Sequence, residues 1–216
     1  MSKQDLGVLL IGCGGHARFI LSILNSNDSY KVAGLINLGE DYNPKEVIMN
    51  TPVVGCRRSL SQLCDQGFKA VILAIGDNAL RKELYAEVVD LNFELPCVVH
   101  PSAIIDDSVL MGAGNIVGPN VVIGAEVKIG SNNIINSSSI IEHQSIIGSH
   151  CHISLSSVLC GAVRVGDEVF IGANSTIIDR VSIANNTIVG AGANIIRSIY
   201  KNNATFAGNP ARIIRG

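Results

Sequence analysis

Aliphatic side chains recur at every sixth position through the second half of the chain, without a break from Ile105 to Ile195. A Gly often follows the aliphatic residue, and the fourth residue after it is small or β-branched. A period of six fits neither an α-helix nor a flat alternating strand, so the backbone must turn a corner once in each repeat. The aliphatic positions are Ile105, Met111, Val117, Ile123, Ile129, Ile135, Ile141, Ile147, Ile153, Leu159, Val165, Ile171, Ile177, Ile183, Val189 and Ile195.

Three such corners close a coil of eighteen residues, and stacked coils form a parallel β-helix with an aliphatic interior. Residues eighteen positions apart should form internal ladders. One ladder is predicted to hold Ile105, Ile123, Ile141, Leu159, Ile177 and Ile195. Gly and Asn at the corners should supply positive φ, the Asn residues being Asn115, Asn132, Asn133, Asn185 and Asn186. An inert spacer or an ice-binding rod are alternatives, but the chain lacks the outward Thr rows of an ice binder.

The first hundred residues alternate short apolar runs with helical periodicity, which predicts a small parallel βαβ-type sheet. The predicted strands are residues 7–11, 32–36, 70–75 and 96–99, and the predicted helices begin at residue 18 and lie near residues 60–66 and 79–91. We therefore expect two domains. Residues 1–100 should form a Rossmann-like α/β domain, and residues 101–216 should form the β-helix.

A Gly-rich segment, Gly12-Cys13-Gly14-Gly15-His16-Ala17, lies between the first predicted strand and helix. Backbone N–H groups and a helix N-terminus at such a place form a cradle for an anion, and phosphate is the expected guest. The spacing also matches a dinucleotide-binding fingerprint. However, Asn37 stands near the place where the acidic residue of an NAD site is expected, so NAD is the weaker alternative.

Composition narrows the possible environments of the protein. The net charge of −2 argues against binding of nucleic acid, and no apolar run is long enough to span a membrane. Residues 1–6 carry no signal-peptide pattern, so a cytoplasmic location is expected. The six cysteines include no C-x-x-C pair, which predicts reduced thiols and no structural zinc.

The segment Glu142-His143-Gln144 places charge at a corner of the β-helix, where a His beside a carboxylate can act as a general base. Gly161 lies eighteen residues after His143 and should stack under it, so that its N–H could donate to a developing oxyanion. A solvated surface His is the alternative. A nucleophilic Cys160 is a further one, but nothing in the sequence lowers its thiol pKa.

A zinc site formed by His143, His150 and His152 is another possibility, because some β-helices hold zinc with three histidines. All three lie within ten residues of one another. Ligands that converge between coils should include one about a coil away, and none is present. We therefore expect no metal.

The Gly-rich start, the hexapeptide array, the Glu142-His143 corner and the segment Phe206-Ala207-Gly208-Asn209-Pro210-Ala211-Arg212 together resemble bacterial sugar acetyltransferases of the sialic acid O-acetyltransferase type. Within this group the chain most resembles enzymes that N-acetylate the 4-amino group of nucleotide-linked 4,6-dideoxy sugars. The resemblance covers the whole chain. It implies a left-handed β-helix, acetyl-CoA as co-substrate, and a homotrimer with its active sites in the grooves between neighbouring β-helices.

The resemblance also implies roles for individual residues. His143 would be the base, and the Gly161 N–H would hold the thioester oxygen. Residues matching the acetyl-CoA contacts are His152, Ala173, Ala191 and Arg212. Residues matching the nucleotide-sugar site are Gly14, Gly15, His16 and Gly76, with Asn37 near the nucleotide.

Two positions depart from the family pattern. Gln144 stands where relatives carry Glu or Asp after the catalytic His, and Asn37-Leu38 stands where many carry an acidic pair. Either Glu142 replaces the missing carboxylate, or His143 works with a lower pKa. The predicted function is direct transfer of acetyl to an amino sugar. An O-acetyltransferase of sialic acid or a related nonulosonate and a non-catalytic trimeric scaffold that binds a sugar nucleotide are the alternatives.

Overall fold

The computed structural model describes residues 7–26 and 30–216. Residues 1–6, in which the sequence predicts no signal peptide, lie outside the described residues. Contacts divide the chain into two compact units, Met1–Val98 and Val99–Gly216. None of the helices in the described ranges has the length and apolar character that a membrane crossing needs.

The first unit is a five-stranded sheet with helices. Its elements are β1 (Val8–Ile11), α1 (Gly15–Leu24), β2 (Val32–Asn37), β3 (Val47–Ile48), β4 (Thr51–Cys56), a 3-10 turn (Arg57–Ser59), α2 (Leu60–Asp65), β5 (Ala70–Leu73) and α3 (Asn78–Asp90). The strand order is β3-β4-β2-β1-β5, and all neighbours are parallel except β3 and β4. The chain moves from β1 outward to β2 and β4 and then crosses to β5, so the direction of winding reverses between β1 and β5.

Burial explains strand β1 and the first helix. The four residues of β1 are buried, as expected for a strand with parallel neighbours on both sides. In α1, Ala17, Ile20, Leu21 and Leu24 are buried at helical spacing. The predicted parallel sheet is confirmed, with strand and helix ends shifted by a few residues.

Two predictions for this part of the chain were incomplete or wrong. The β3–β4 hairpin was not predicted, because its turn at Met49 and Asn50 has φ of 47° and 64° and contains no Gly. The predicted strand at residues 96–99 does not end the N-terminal sheet. It is shorter, Val98–Val99, and pairs within the β-helix instead.

Beyond the first unit the strands are two residues long until the C-terminal hairpin. They are β6 (Val98–Val99), β7 (Ile104–Ile105), β8 (Leu110–Met111), β9 (Ile116–Val117), β10 (Val122–Ile123), β11 (Lys128–Ile129), β12 (Ile134–Ile135), β13 (Ile140–Ile141), β14 (Ile146–Ile147), β15 (His152–Ile153), β16 (Val158–Leu159), β17 (Arg164–Val165), β18 (Phe170–Ile171), β19 (Thr176–Ile177), β20 (Ser182–Ile183), β21 (Ile188–Val189), β22 (Asn194–Ile195), β23 (Thr205–Gly208) and β24 (Ala211–Arg215). Every third strand pairs in parallel, which gives three sheets.

The predicted eighteen-residue coil is confirmed by the strand register. Ile123 pairs with Ile105 on one side and with Ile141 on the other, and Leu159 and Ile177 continue the same ladder to Ile195. Ile123, Ile141, Leu159, Ile177 and Ile195 belong to one buried aliphatic cluster, and the half-buried Ile105 packs against it. The antiparallel hairpin β23–β24 continues the sheet that contains β21.

Three corners separate the sheets and repeat in successive coils. The His143 corner comprises residues 124–127, 142–145, 160–163 and 178–181. The Asp167 corner comprises residues 112–115, 130–133, 148–151, 166–169 and 184–187. The Ala173 corner comprises residues 118–121, 136–139, 154–157, 172–175 and 190–193.

Positive φ occurs at every sixth residue from Asn120 to Asn186. The prediction was correct for Asn132 and Asn186 and wrong for Asn115, Asn133 and Asn185. These positions also hold other residue types: the full series is Asn120, Glu126, Asn132, Ser138, Gln144, His150, Ser156, Ala162, Glu168, Asn174, Arg180 and Asn186. Asn115 and Asn133 are instead buried, where the Asn115 amide accepts from the Asn133 N–H at 2.8 Å.

Candidate active site

The His143 imidazole lies directly over Gly161 in the next coil. A Cβ added to Gly161 would be 2.7 Å from Cε1 and 2.8 Å from Nε2 of His143. The Ala162 N–H donates to the His143 carbonyl at 2.8 Å and keeps the two coils in register. The predicted stacking is confirmed, and a side chain at position 161 would have to displace the ring.

The Gly161 N–H differs from the corresponding N–H groups of the Asp167 corner in having no side-chain acceptor in the described part of the chain. There the Ser149 N–H donates to Asp167 Oδ1 at 2.7 Å, and the Asp167 N–H donates to Asn185 Oδ1 at 3.0 Å. The corresponding residue after Gly161 is Asp179, yet no described group accepts from the Gly161 N–H. An imidazole and an available N–H donor therefore share this corner, an arrangement suited to acyl transfer.

The neighbours of His143 differ in what they contact. Glu142, His143 and Gln144 are exposed, and Gln144 has φ of 60° and donates to Glu126 Oε2 at 3.1 Å. Within the described ranges His143 makes no side-chain hydrogen bond to either neighbour. The Gln144 amide is therefore directed to the preceding coil.

The Cys160 thiol next to Gly161 is half-buried. Its pKa is raised by burial and by the carboxylates of Asp179 and Glu142. A thiol with a raised pKa is protonated at neutral pH and is a poor nucleophile. Its environment gives no support to a covalent cysteine mechanism.

The other two histidines of this region lie elsewhere in the coil. His150 is at the Asp167 corner, with Nδ1 2.8 Å from Asn132 Nδ2. His152 is buried in β15, where its ring packs edge-on against Phe170 and Nε2 lies 3.3 Å from Asn136 Nδ2. Across residues 7–26 and 30–216, no three His, Cys, Asp or Glu side chains are grouped to hold a metal ion.

Two of the residues matched to acetyl-CoA contacts, Ala173 and Ala191, stack in neighbouring coils at the Ala173 corner. The Gly192 N–H donates to the Ala173 carbonyl at 2.8 Å, and the Asn174 N–H donates to Leu155 at 2.9 Å in the coil before. Ala173 is half-buried and Ala191 is exposed, and each carries only a methyl side chain. His152 lies on the sheet that precedes this corner, so the structure brings these residues near one another but not to the His143 corner.

Arg212 lies exposed on β24 and lines a cavity of about 390 Å³. Arg197, Phe206 and Ile213 line the same cavity. Arg197 was missed because one basic residue at an outward position of a coil resembles an ordinary solvated side chain. The cavity thus carries two guanidinium groups that can bind anions.

The Gly-rich segment lies at the N-terminus of α1, at the carboxyl end of β1. Gly12 makes the turn with φ of 122°, and no described atom lies within 4 Å of a Cβ placed at Gly14 or Gly15. A Cβ at Gly76, which follows β5, would be 3.9 Å from His16 Nδ1. The structure therefore brings Gly14, Gly15, His16 and Gly76 together where the winding reverses, the usual ligand crevice of such sheets.

Asn37 ends the neighbouring strand β2. Its Oδ1 accepts from the Gly39 N–H at 2.7 Å and so stabilises the local turn. The side chain is half-buried at the same edge of the sheet as the Gly-rich segment. It contributes an amide, without charge, where an acidic pair is typical of relatives.

Arg81 on α3 is a site residue that the sequence did not reveal. Burial and the charge of Arg81 lower the pKa of His16 to about 4, so His16 is neutral at pH 7. Arg81 is only 1% exposed. An arginine at a buried position of an otherwise amphipathic helix is the signal that could have identified it.

Comparison with protein families gives two matches. Residues 7–88 match the PglD N-terminal domain, and residues 162–197 match the bacterial transferase hexapeptide family (six repeats). A curated relative, UDP-N-acetylbacillosamine N-acetyltransferase from Bacillus subtilis, is 31% identical over 114 residues. That alignment covers 51% of this chain, and the chain spans 50% of the relative.

Solved structures match nearly the whole chain. PerB from Caulobacter crescentus in complex with CoA and GDP-perosamine is 36% identical with a TM-score of 0.89, over 96% of each chain. The acetyltransferase domain of PglB from Neisseria gonorrhoeae with acetyl coenzyme A is 26% identical with a TM-score of 0.87, over 96% of this chain and 98% of that one. The predicted fold class, a Rossmann-like domain followed by a hexapeptide β-helix, is confirmed.

Proposed function

Because this chain belongs to the bacterial hexapeptide-repeat sugar acetyltransferases that carry a PglD-type N-terminal domain, we propose that it acetylates the 4-amino group of a nucleotide-linked 4-amino-4,6-dideoxy sugar with acetyl-CoA. The observation that carries this proposal is the His143 imidazole over Gly161, whose N–H has no described partner. The complex of PerB with CoA and GDP-perosamine supports the two substrates.

The reaction needs no acyl-enzyme intermediate. The sugar amine attacks the thioester carbonyl carbon, and His143 takes the proton that the amine loses. The Gly161 N–H donates to the carbonyl oxygen as it becomes negative. The carbon–sulfur bond then breaks, and CoA leaves with the proton from His143. General-base catalysis of this kind contributes roughly 10²–10⁴-fold to the rate.

Glu142 is the carboxylate that we assign to stabilise the protonated His143. Gln144 donates to Glu126 in the preceding coil, which directs its amide away from this task. Glu142 is exposed and adjacent in sequence to His143. An exposed carboxylate favours the imidazolium only moderately, because water screens the interaction.

The N-terminal domain, residues 1–100, binds the nucleotide sugar in this proposal. The N–H groups of Gly14 and Gly15 at the start of α1 hold phosphate, and neutral His16 and the backbone of Gly76 contact the rest of the nucleotide or sugar. Asn37 lies beside the nucleotide. NAD is not required by any of these contacts.

The β-helix domain, residues 101–216, binds acetyl-CoA. The small side chains of Ala173 and Ala191 leave room for the thin pantetheine arm, with His152 on the preceding sheet. Arg212, together with Arg197, is suited to the phosphates of CoA. Acetyl-CoA and nucleotide sugars are cytoplasmic metabolites, in keeping with the predicted location.

We further propose that the protein is a homotrimer. An outward aliphatic row, Ile104, Val122, Ile140 and Val158, lies on the sheet between the Ala173 and His143 corners; Ile104 at its end is 68% exposed, and the other three are half-buried. One side of a coil is about six residues, so the two corners of one copy are separated by up to ~20 Å. A groove between copies joins the His143 corner of one to the Ala173 corner of its neighbour.

An acceptor assay with thiol detection tests the reaction. CoA release is expected with a UDP- or GDP-linked 4-amino sugar and not with a nonulosonic acid. Turnover of the nonulosonic acid alone would favour O-acetylation instead. Absence of any thermal shift with CoA, together with binding of the sugar nucleotide, would favour the non-catalytic scaffold.

Complementation between two inactive variants tests whether each active site is formed by two copies of the chain. His143→Ala and Ala173→Trp should each be inactive, and copies mixed by denaturation and refolding should recover about a quarter of wild-type activity, as random mixing in a closed three-fold ring predicts. Each variant refolded alone is the control. Recovery of no activity from mixed trimers would contradict a site shared between copies.

A further inference from the structure

The buried side chain of Arg81 hydrogen-bonds to the backbone beside the Gly-rich segment of the first unit. Arg81 Nη1 donates to the carbonyls of Ile75 at 3.1 Å and Gly76 at 3.3 Å, and Nη2 donates to Asn78 Oδ1 at 2.8 Å. These acceptors span the turn between β5 and α3. A guanidinium remains charged at any physiological pH, so its burial depends on such acceptors.

We propose that Arg81 is a positioning residue of this site: it holds the β5–α3 turn so that Gly76 stays against His16, and it places a fixed positive charge behind the position of the nucleotide diphosphate. The ligand in this proposal rests on the proposed function. The positioning of the β5–α3 turn does not depend on the proposed function, because it follows from the hydrogen bonds that Arg81 makes.

The charge matters because the Gly-rich segment contains no Lys or Arg, and the adjacent Arg18, which donates to the carbonyls of Cys13 and Gly14, is exposed so that water screens its charge. β1 and β5 pair in parallel with Ile11 opposite Leu73, so α1 and α3 begin at the same edge of the sheet. The N-terminal N–H groups of α1, which has no side-chain cap, favour an anion there, whereas in α3 the Leu80 N–H already donates to Asp77 Oδ1. Arg81 adds a full charge that solvent screens little.

The same arrangement keeps His16 neutral. Burial is the larger cause of its lowered pKa, and Arg81 is the second. The other charged groups at this edge are Arg18 and Glu46, which act on the Cys13 thiol, and Asp77, whose carboxylate accepts from the Leu80 N–H at 2.8 Å at the start of α3. A neutral imidazole has one donor and one acceptor nitrogen, so His16 can accept a hydrogen bond from a sugar hydroxyl at pH 7.

Two measurements on the full-length protein test this role: the pKa of His16 by NMR, and the affinities for UDP and GDP by calorimetry. In Arg81→Gln the pKa of His16 should rise but stay below 6.5, because burial remains. Affinity for the diphosphate that wild type binds should fall roughly ten- to hundred-fold through loss of charge and position. Arg81→Lys should keep the pKa low without restoring affinity, because an ammonium cannot reproduce the planar fork.

Arg57→Gln is the matched control. Arg57 pairs with Glu83 and Glu87 of α3 at 2.6 Å each, so its loss should lower the Tm but change neither the pKa of His16 nor nucleotide affinity.

If Arg81→Gln does not fold, Asn78→Ala removes one acceptor and should weaken binding in the same direction. Unchanged affinity and His16 pKa in a folded Arg81→Gln would overturn the proposal. If wild type binds neither UDP nor GDP, the nucleotide part of the proposed function fails, and the His16 pKa still decides the role of Arg81.

Discussion

The Asp167 corner and the His143 corner have the same backbone geometry, but they differ in whether a side chain accepts a hydrogen bond from the N–H of the preceding coil. At the Asp167 corner, Asp167 and Asn185 side chains accept from the N–H groups of the preceding coil. At the His143 corner, Asp179 does not accept from the Gly161 N–H, and the imidazole of His143 lies above it instead. One corner is stabilised by its side chains, and the other leaves a donor and a base available.

At the His143 corner the repeat therefore forgoes a stabilising hydrogen bond and keeps groups that can react. Exposed N–H groups can bind water, so the uncapped corner loses only the gain of the side-chain hydrogen bond. Unused hydrogen-bonding groups in a regular array point to a site. The N–H groups of Ala173 and Ala191 likewise have no acceptor among the described residues, so what distinguishes Gly161 is the imidazole of His143 above it.

The largest difference in kcat is expected between alanine variants of the two histidines at these corners. His143→Ala should lower kcat roughly 10²–10⁴-fold with little change in CoA affinity, as for loss of a general base. His150→Ala, at the Asp167 corner, should change kcat less than about two-fold. Steady-state kinetics with a CoA-binding measurement check both, and equal losses would remove the distinction between the corners.

Glycine substitutions should separate activity from stability. Gly161→Ala places a Cβ 2.7 Å from His143 Cε1 and should lower kcat/KM about 10²-fold by displacing the ring. Gly166→Ala would overlap the side chain of Asn185 and should lower the Tm while leaving kcat unchanged. Kinetics and thermal unfolding of both variants provide the test, and a fully active Gly161→Ala would be incompatible with the assigned geometry.

Aspartate substitutions at the two corners should differ in their effect on the free energy of unfolding, because only one of the two aspartates accepts a hydrogen bond from the preceding coil. Asp167→Ala removes the acceptor of the Ser149 N–H and should lower the free energy of unfolding by about 1 kcal/mol. Asp179→Ala removes no hydrogen bond to the preceding coil and should stay within about 0.5 kcal/mol of wild type. Denaturant unfolding measures both; a larger loss in Asp179→Ala would show that this corner is capped after all.

Gln144 should give the smallest effect. Its amide contacts Glu126 and not His143, so Gln144→Ala should change kcat less than about three-fold and the free energy of unfolding by only a few tenths of a kcal/mol. A ten-fold loss of kcat would instead mean that the amide orients the imidazole. The pH dependence of kcat in the two proteins is the comparison to make.

Sequence periodicity was sufficient for the β-helix because each aliphatic position must face the interior. A shift by one residue would expose the ladder that contains Ile141 and Leu159, so the register follows from the pattern. The N-terminal hairpin was missed because Met49 and Asn50 adopt positive φ without a Gly. The positions of positive φ in the coils follow from the corner geometry, not from residue type, which is why Asn115 and Asn133 were misassigned.

The candidate site was predictable where the eighteen-residue spacing applies. It placed Gly161 under His143, and applied to Ser149, Asp167 and Asn185 it would also have indicated the capped corner. Spacing could not reveal which way Gln144 points, because a side chain at an exposed corner can turn to either coil. It also could not find Arg81, whose role depends on contacts across the β5–α3 turn.

The double variant His143→Ala/Gly161→Ala tests most directly whether the imidazole over Gly161 is the reacting centre. Gly161→Ala acts through the His143 ring in this account, so single-turnover acetyl transfer by the double variant should be within about three-fold of His143→Ala alone, as for residues that act as a unit. If the two losses multiply instead, the residues act independently, and the contact between them is not the centre of catalysis.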